Sequence, residues 1–348
     1  MSVNLFNGKM KAKFSTLILA VFLLSITLSV LAVPVQALGK VWHVYSGESI
    51  QAAVNAASPG DTILVHAGTY EQRTWIHKPL TLIGENPDTT IIYVSEILHP
   101  SWHLSFHVTA DRVTISGFTV INEVDTAIFL YGSSDCEITE NKAKGKHYGI
   151  ALAGASNNND ITENEAEGIL GSGIHVRDGA SNNEITENKV TSPFAGIWLW
   201  GASNSKIIEN EAKNCMIGIY LESQYNDVDN VTQRNKICRN NVDSCYAGIV
   251  LNEATNNEIT ENKVKNCTHG IVLTDDSEGN GSEGNGSDGN KVNFNEIYYN
   301  DGVGIWVWRE GSKNKICFNE VLGNGVDLQD EGLKNIWKRN EYETSSGI

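Results

Sequence analysis

The chain has 348 residues, and its 26 lysines and arginines against 42 aspartates and glutamates give a formal net charge of −16. Nucleic-acid binding depends on clustered lysine and arginine, so this acidic balance argues against a nucleic-acid partner. It also disfavours unaided binding of polyanionic sugars, whereas a neutral glycan, or a cation that bridges acidic groups, would fit.

Residues 1–37 are expected to be a signal peptide. Three lysines precede an apolar run from Leu17 to Val33, and a small-x-small cleavage pattern ends at Ala37. A retained membrane anchor is the alternative, because this run of 17 residues matches the lower limit of a spanning helix. We favour cleavage after Ala37, which predicts a secreted or cell-surface protein with no membrane span in residues 38–348.

Residues 48–58 are predicted to form an amphipathic helix that caps the first turn of the domain at 38–348. Its apolar residues follow the i, i+3, i+4, i+7 spacing of one helix face, and Pro59-Gly60 ends it. These apolar residues are Ile50, Ala53, Val54 and Ala57.

The next segment carries candidate metal ligands, His103 and His107. Leu104, Phe106 and Val108 alternate as inward residues of a strand, so both imidazoles would face outward. Strand residues four positions apart are ~13 Å from each other, too far to share one ion without a bend. A helix would instead place them on one face. Ordinary surface histidines are the alternative interpretation.

From residue 137 onward a short phrase recurs: an apolar residue, two polar residues and an asparagine, as in EITEN at 137–141. The asparagines recur at intervals of 22 to 33 residues, which indicates one structural unit stacked on itself. An unpaired inward amide would cost ~1–3 kcal/mol, so we predict a continuous hydrogen-bonded ladder. Phe118 takes the equivalent position in the preceding unit, so the ladder should begin at Asn141. Its predicted members are Asn141, Asn164, Asn188, Asn210, Asn240, Asn262, Asn295 and Asn319.

Each unit also contains a Gly-Ile pair or a close variant, followed by alternating apolar residues such as Ile197 and Leu199. Alternation over four or five residues indicates a half-buried strand. The sequence has neither the helix nor the leucine consensus of leucine-rich repeats, which excludes that repeat fold. The predicted fold is all-β: a right-handed, single-stranded parallel β-helix with three strands per turn, roughly 10–12 turns and a short N-terminal capping helix.

Two insertions, at 223–235 and 275–290, lengthen the connection that follows the Gly-Ile strand. The step to the next unit is 18 residues in the first case and 21 in the second, against 10 or 11 elsewhere. Both loops therefore leave the same edge, where repeat proteins often build a binding face. The aspartate pairs at 227/229 and 275/276 could supply calcium ligands. The glycine-rich part of the second insertion is more simply a flexible tract.

The outward positions of the Gly-Ile strands carry large aromatic residues. Aromatic rings stack on pyranose faces and neighbouring polar groups orient hydroxyls, so this composition predicts a polysaccharide-binding face. The alternative is structural, because ladders of aromatic residues stabilise neighbouring strands. The predicted substrate-binding residues are Tyr131, Trp198, Trp200, Tyr220, Trp306 and Trp308.

The same strands carry candidate catalytic residues. His175 and Arg177 would act as base or charge stabiliser, and Asp178 and Glu222 as carboxylates. A lyase needs a base and a group that neutralises the uronate, whereas a glycosidase needs two carboxylates across the scissile bond. Asp178 and Glu222 would lie two turns apart, about 9.6 Å along the axis, which is loose for a glycosidase pair. Catalysis is therefore the second hypothesis, after binding.

Cys215, Cys245 and Cys267 each lie five residues after a ladder asparagine. Stacked strands are ~4.8 Å apart, which is within the Cα range of a disulfide. One bridge among the three is therefore one expectation for an oxidising compartment. A column of small buried thiols is the other.

The segments GDTILVHAGTY (Gly60–Tyr70) and KPLTLIGE (Lys78–Glu85), followed by the asparagine and Gly-Ile turns, resemble the NosD-like right-handed β-helix proteins of the pectin-lyase-like superfamily. The resemblance implies the β-helix fold for 41–348 and a polysaccharide or surface glycan as partner. It leaves open polysaccharide binding, lyase, hydrolase or epimerase activity, and NosD-type copper handling. Calcium and copper are the candidate cofactors, with His103 and His107 as copper ligands.

Overall fold

The computed structural model describes residues 39–95, 103–224, 230–274, 286–309 and 311–348. The predicted signal peptide at 1–37 lies outside the described residues, as do positions 225–229 and 275–285 of the two insertions. Within the described ranges, no helix combines the length and apolar character that crossing a bilayer requires.

Three parallel sheets build the unit that spans Gly39–Ile348, and each turn of the chain adds one strand to each sheet. In the described residues, sheet 1 has 13 strands and sheets 2 and 3 have 12 strands each. Every strand pairs in parallel with the equivalent strand of the next turn, as Glu137–Thr139 does with Asp160–Thr162. The predicted three strands per turn and the number of turns are confirmed.

Sheet 1 contains the repeat phrase itself. Its strands are Val41–Val44, Thr62–Val65, Thr81–Gly84, Thr114–Ser116, Glu137–Thr139, Asp160–Thr162, Glu184–Thr186, Lys206–Ile208, Lys236–Cys238, Glu258–Thr260, Lys291–Asn293, Lys315–Cys317 and Ile336–Lys338.

Sheet 2 follows the ladder asparagine. Its strands are Gly68–Tyr70, Thr90–Val94, Thr119–Asn122, Lys142–Gly145, Glu165–Gly168, Lys189–Thr191, Glu211–Lys213, Asn241–Asp243, Lys263–Lys265, Glu296–Tyr298, Glu320–Leu322 and Glu341–Tyr342.

Sheet 3 contains the Gly-Ile landmarks. Its strands are Thr74–Ile76, Phe106–Val108, Ile128–Tyr131, Ile150–Ala153, Ser172–Arg177, Ala195–Trp200, Ile217–Glu222, Ala247–Asn252, His269–Thr274, Val303–Val307, Val326–Asp330 and Ser345–Ser346.

The single helix of the described residues, α1, spans Ile50–Ala56 and buries Ile50 and Val54 against the first turn. The hydroxyl of Ser49 accepts a hydrogen bond of 3.2 Å from the backbone N–H of Ala52, which caps the helix start. The helix is shorter than the predicted 48–58, because Ser49 and Ala57 both have extended backbone conformations.

The core consists of aliphatic side chains stacked in register between turns. Ile138 pairs with Ile161, and Ile161 with Ile185, and all three are fully buried. Burying one such side chain stabilises the fold by about 1.5–3 kcal/mol relative to leaving it exposed. Because the inward side of every sheet is fixed in this way, alternate residues of sheet 3 must face outward.

The eight predicted asparagines form one hydrogen-bonded column at the bend between sheets 1 and 2. The Nδ2 group of Asn141 donates to Oδ1 of Asn164 at 3.2 Å, and that of Asn164 donates to Oδ1 of Asn188 at 3.0 Å. The same pattern continues to Asn319, which donates to Oδ1 of Asn340. At the start of the column, the backbone N–H of Phe118 donates to Oδ1 of Asn141.

A second asparagine column, which the sequence analysis did not identify, lies at the bend between sheets 3 and 1. It is visible as an asparagine two residues before the repeat isoleucine, with Ser205 as the exception. Here the Nδ2 group of Asn159 donates to Oδ1 of Asn183 at 3.0 Å, and Asn235 donates to Asn257 at 3.1 Å. Its members are Asn159, Asn183, Ser205, Asn235, Asn257, Asn290, Asn314 and Asn335.

The asparagines of the first column do not themselves take the left-handed backbone conformation at this bend. The residue before the first-column asparagine takes that conformation, as Glu140 (φ 55°) and Glu163 (φ 56°) do. The asparagine itself is held by its side-chain hydrogen bonds to the adjacent turns. The repeated phrase therefore places the residue with the left-handed backbone outside and the amide inside.

Candidate functional site

The outward side chains of sheet 3 form two columns. In the first, parallel pairing aligns His175 with Trp198, Trp198 with Tyr220 and Tyr220 with Val250. In the second column, Arg177 is aligned with Trp200, and Trp200 with Glu222. The two columns thus bring together six of the ten predicted substrate-binding and catalytic residues, namely His175, Arg177, Trp198, Trp200, Tyr220 and Glu222.

The rings of the first column stack on one another. The centroids of His175 and Trp198 are 4.3 Å apart with planes inclined by 6°, and those of Trp198 and Tyr220 are 6.0 Å apart at 12°. Trp200 lies beside Trp198 at 5.7 Å, and Phe194 packs edge-on against Trp198 at 5.0 Å. Such pairs are worth about 0.5–1.5 kcal/mol beyond area burial, so part of this arrangement is structural.

A groove of about 450 Å³ lies over these rings, at the edge where the first insertion leaves. Trp198, Trp200 and Tyr220 are half-buried, so each ring keeps an accessible part. The described residues that line the groove are Phe194, Trp198, Trp200, Met216, Ile217, Tyr220, Glu222, Ser223, Asn252 and Glu253. Six of these ten residues are aromatic or aliphatic and four are polar, a combination that is usual in a small-molecule or sugar site.

The structure does not support the predicted role of His175 as a catalytic base. Its side chain points outward, but Tyr148 at 4.5 Å and Trp198 at 4.3 Å cover it, and the residue is 1% exposed. Neither ring nitrogen has a hydrogen-bond partner among the described residues. Burial first, and the charge of Arg177 second, lower the pKa of His175 to about 3. The imidazole is therefore neutral and shielded from substrate.

The predicted carboxylates, Asp178 and Glu222, have different partners. Asp178 lies 3.4 Å from the guanidinium of Arg177 and accepts a hydrogen bond of 3.0 Å from Gln224. Glu222 accepts a hydrogen bond of 3.1 Å from the indole of Trp198. Glu222 lines the groove, whereas Asp178 is not part of its wall.

The second carboxylate of the groove is Glu253, which the sequence analysis missed. It follows directly after Asn252, the register partner of Glu222 on the next turn. Glu253 has φ 52°, a left-handed conformation that non-glycine residues seldom adopt, and this takes it out of the strand alternation. No periodic signal marks the position, so strand alternation alone could not identify it.

The other predicted aromatic residues lie apart from this groove. Trp306 and Trp308 have centroids 4.3 Å apart, and the indole of Trp306 donates to Glu331 at 3.2 Å. Between Tyr220 and Trp306, the first column consists of Val250 and Val272. Tyr131 is 54% exposed and packs beside Phe129, which belongs to the first column through its register with Ala151 and His175.

The predicted metal ligands do not form a ligand set. His107 stacks on Phe129 at 5.8 Å, and burial lowers the pKa of its imidazole. The backbone oxygen of His103 accepts a hydrogen bond from Asn122. In the part of the chain that the structure describes, no three His, Cys, Asp or Glu side chains are placed to hold a metal ion. The aspartates at 227, 229, 275 and 276 lie outside the described residues.

Cys215, Cys245 and Cys267 form a buried column at the bend between sheets 2 and 3, and all three are free thiols. The column continues as asparagines, because the backbone N–H of Cys267 donates to Oδ1 of Asn300 at 2.9 Å. The neighbouring Cys245 thiol and burial raise the pKa of Cys215 and of Cys267. The three positions therefore serve here as a packed column of small side chains.

Known proteins share this architecture. The family model described as right handed beta helix region matches residues 126–285. The chain folds as a right-handed parallel β-helix. The predicted fold class is thus confirmed, whereas nothing marks the protein as NosD-like in particular. No functionally curated protein is significantly similar to it in sequence.

Solved structures with a similar fold include the Dettilon tailspike protein (TM-score 0.56, 15% identity), over 80% of this chain and 62% of that chain. The β-helix protein thus spans less than two thirds of the tailspike chain. The A-module of a mannuronan C-5 epimerase from Azotobacter vinelandii is similar over 87% of this chain and 99% of that chain (TM-score 0.56, 14% identity). The periplasmic alginate epimerase AlgG is similar over 86% and 83% (TM-score 0.53, 16% identity). At these identities the likeness concerns the fold.

Proposed function

We propose that this β-helix protein is secreted or displayed at the cell surface and binds a polysaccharide in the groove over Trp198, Trp200 and Tyr220. The observation that carries the proposal is the set of half-buried rings on neighbouring turns, arranged beside a groove of about 450 Å³. Each half-buried ring leaves a face or an edge accessible to a pyranose, and Glu222 and Asn252 can form hydrogen bonds with its hydroxyls. The similar fold of a protein named alginate epimerase supports a carbohydrate partner.

Affinity electrophoresis against a panel of polysaccharides tests the proposal. The Trp198→Ala/Trp200→Ala variant should bind at least about tenfold more weakly, since each lost ring removes on the order of 1.5 kcal/mol of apolar contact. The Phe294→Ala/Phe318→Ala variant is a matched control. It removes two rings that stack at 5.1 Å on the edge between sheets 1 and 2. Equal binding by both variants, or no polysaccharide bound by the wild type, would refute the proposal.

A second candidate function is glycoside hydrolysis, which one observation favours: Glu222 and Glu253 line the same groove on adjacent turns. Hydrolysis needs one carboxyl group as acid and a second as base or nucleophile. Release of reducing ends by the wild type, lost in Glu222→Gln and in Glu253→Gln, would establish it. A lyase is less well supported because its predicted base, His175, is covered. Copper handling is not proposed, because no third ligand joins His103 and His107 among the described residues.

A further inference from the structure

We infer that this groove selects uncharged polysaccharides and rejects polyuronates such as alginate. The inference rests on the proposed function, since it concerns the ligand class of the same site. It sets this chain apart from the alginate epimerases that share its fold. Three features carry it: the acidic residues of the groove, the pairing of Arg177 on the same outer face, and the kind of hydrogen-bonding atoms that the groove presents.

The charges of the groove are all negative. Among its described lining residues, Glu222 and Glu253 are acidic, and none is lysine or arginine. A uronate carboxylate on each sugar would therefore meet like charges in a partly desolvated site, which is unfavourable.

Arg177, on the outer face of sheet 3, is already paired. Arg177 lies in register with Trp200, but its guanidinium is 3.4 Å from the carboxylate of Asp178. Gln224 donates a further hydrogen bond to Asp178, which fixes that carboxylate beside the arginine. To neutralise a uronate, Arg177 would have to leave this pair, so it does not offer a free counter-charge.

The polar atoms of the groove are mainly hydrogen-bond acceptors. Asn252 is 6% exposed, and its Nδ2 group donates to the hydroxyl of Tyr220 at 3.2 Å. Its Oδ1 atom is buried and has no partner among the described residues, although a buried acceptor left unpaired is costly. This oxygen is a hydrogen-bond acceptor, as are the carboxylate oxygens of Glu222 and Glu253. Sugar hydroxyls can donate, whereas a uronate carboxylate only accepts.

Isothermal titration with a neutral glucan, a neutral galactomannan and alginate, each with EDTA and with calcium, tests the inference. We expect binding of a neutral polysaccharide and at least about tenfold weaker binding of alginate in both conditions. Alginate binding equal to or tighter than neutral binding, with EDTA or only with calcium, overturns charge selection but leaves the proposed function intact. Failure of every polysaccharide to bind overturns the proposed function itself.

Paired variants locate the selection in the groove. Glu222→Gln/Glu253→Gln should improve alginate binding by about threefold or more relative to neutral binding, because two like charges are removed. Glu140→Gln/Glu163→Gln removes two charges from exposed residues of another edge and should leave the ratio unchanged. An equal change in both variants would mean that net charge, not the groove, disfavours alginate, and would overturn the inference. Far-ultraviolet circular dichroism should show that both variants keep the β-helix.

Discussion

The indole Nε1 of Trp198 donates a hydrogen bond of 3.1 Å to Oε2 of Glu222, which lies on the next turn and in the other outward column of sheet 3. This diagonal contact connects the ring column to the carboxylate of the groove. It fixes the orientation of Trp198 and uses part of the accepting capacity of Glu222. Cross-strand contacts of this kind lie within reach of long side chains.

Trp198→Phe should separate the hydrogen bond from the ring contact. The phenyl ring keeps most of the apolar surface but cannot donate, so we expect polysaccharide binding to weaken by about 0.5–1.5 kcal/mol. Trp198→Ala should weaken it further. A double-mutant cycle with Glu222→Ala checks the assignment, because the two changes should be coupled rather than additive. Strict additivity in titration calorimetry would argue that the contact plays no part in binding.

Asn188→Ala should strongly destabilise the fold. Its Nδ2 group donates to the backbone oxygen of Ile161 at 2.7 Å and to Oδ1 of Asn210, and its Oδ1 accepts from Asn164. Truncation leaves several buried groups unpaired, at an expected total cost of about 3–5 kcal/mol. Urea unfolding followed by circular dichroism measures this cost.

The neighbouring substitution Lys189→Ala is the matched control for Asn188→Ala. Lys189 is exposed, so its loss should change the free energy of unfolding by less than about 0.5 kcal/mol. If both variants unfolded at the same urea concentration, the ladder would contribute no more than an ordinary surface residue.

The fold could be predicted because every turn repeats the same pattern of inward apolar residues and bend asparagines. Ile138, Ile161 and Ile185 are inward at the same phase, and Asn141 and Asn164 occupy the same bend. A one-residue error in register would have moved all of them at once, so the repeat itself checks the assignment. The second asparagine column was visible at a fixed spacing, but the first column alone was sufficient to define the period.

The site could be predicted only in part. Alternation correctly placed Trp198 and Glu222 on the outer face of sheet 3. It could not show that Tyr148, from a bend one turn earlier, covers His175, because this contact depends on side-chain packing between turns. Nor could it identify Glu253, whose left-handed backbone interrupts the alternation. Both misses concern residues positioned by bends, where the period of two no longer applies.

The buried His175 should make the protein less stable in mild acid. Burial and Arg177 lower the pKa of His175 to about 3, whereas an unfolded histidine titrates near 6.5. Between these values the unfolded chain binds the proton and the folded chain does not. The contribution of His175 to the free energy of unfolding is therefore fully present above about pH 6.5. It decreases as the pH falls toward 3, and the loss at pH 5 is roughly 2 kcal/mol.

His175→Phe should remove this component, because phenylalanine can stack on Trp198 but does not titrate. Between about pH 7.5 and pH 5, the free energy of unfolding from urea titrations should then decrease by roughly 2 kcal/mol less than in the wild type. His147→Phe, at an exposed position, is the control and should retain the wild-type pH dependence. An unchanged slope in His175→Phe would show that other groups account for the acid sensitivity.

We predict one disulfide in the column of Cys215, Cys245 and Cys267 when the protein is in an oxidising compartment. The sequence suggests this disulfide, and it is still untested. Cys245 lies between Cys215 and Cys267, which are two turns, or about 9.6 Å, apart along the axis. Any bridge must therefore include Cys245 and leave one thiol free. Its loop would span about 23 or 31 residues, which corresponds to roughly 3–4 kcal/mol of stabilisation in the chain-entropy description.

Non-reducing peptide mapping should find Cys245 joined to one neighbour, and Cys245→Ser should contain no bridge. A Cys215–Cys267 bridge, or three free thiols in protein from an oxidising compartment, would contradict the prediction and leave packing as the role of the column.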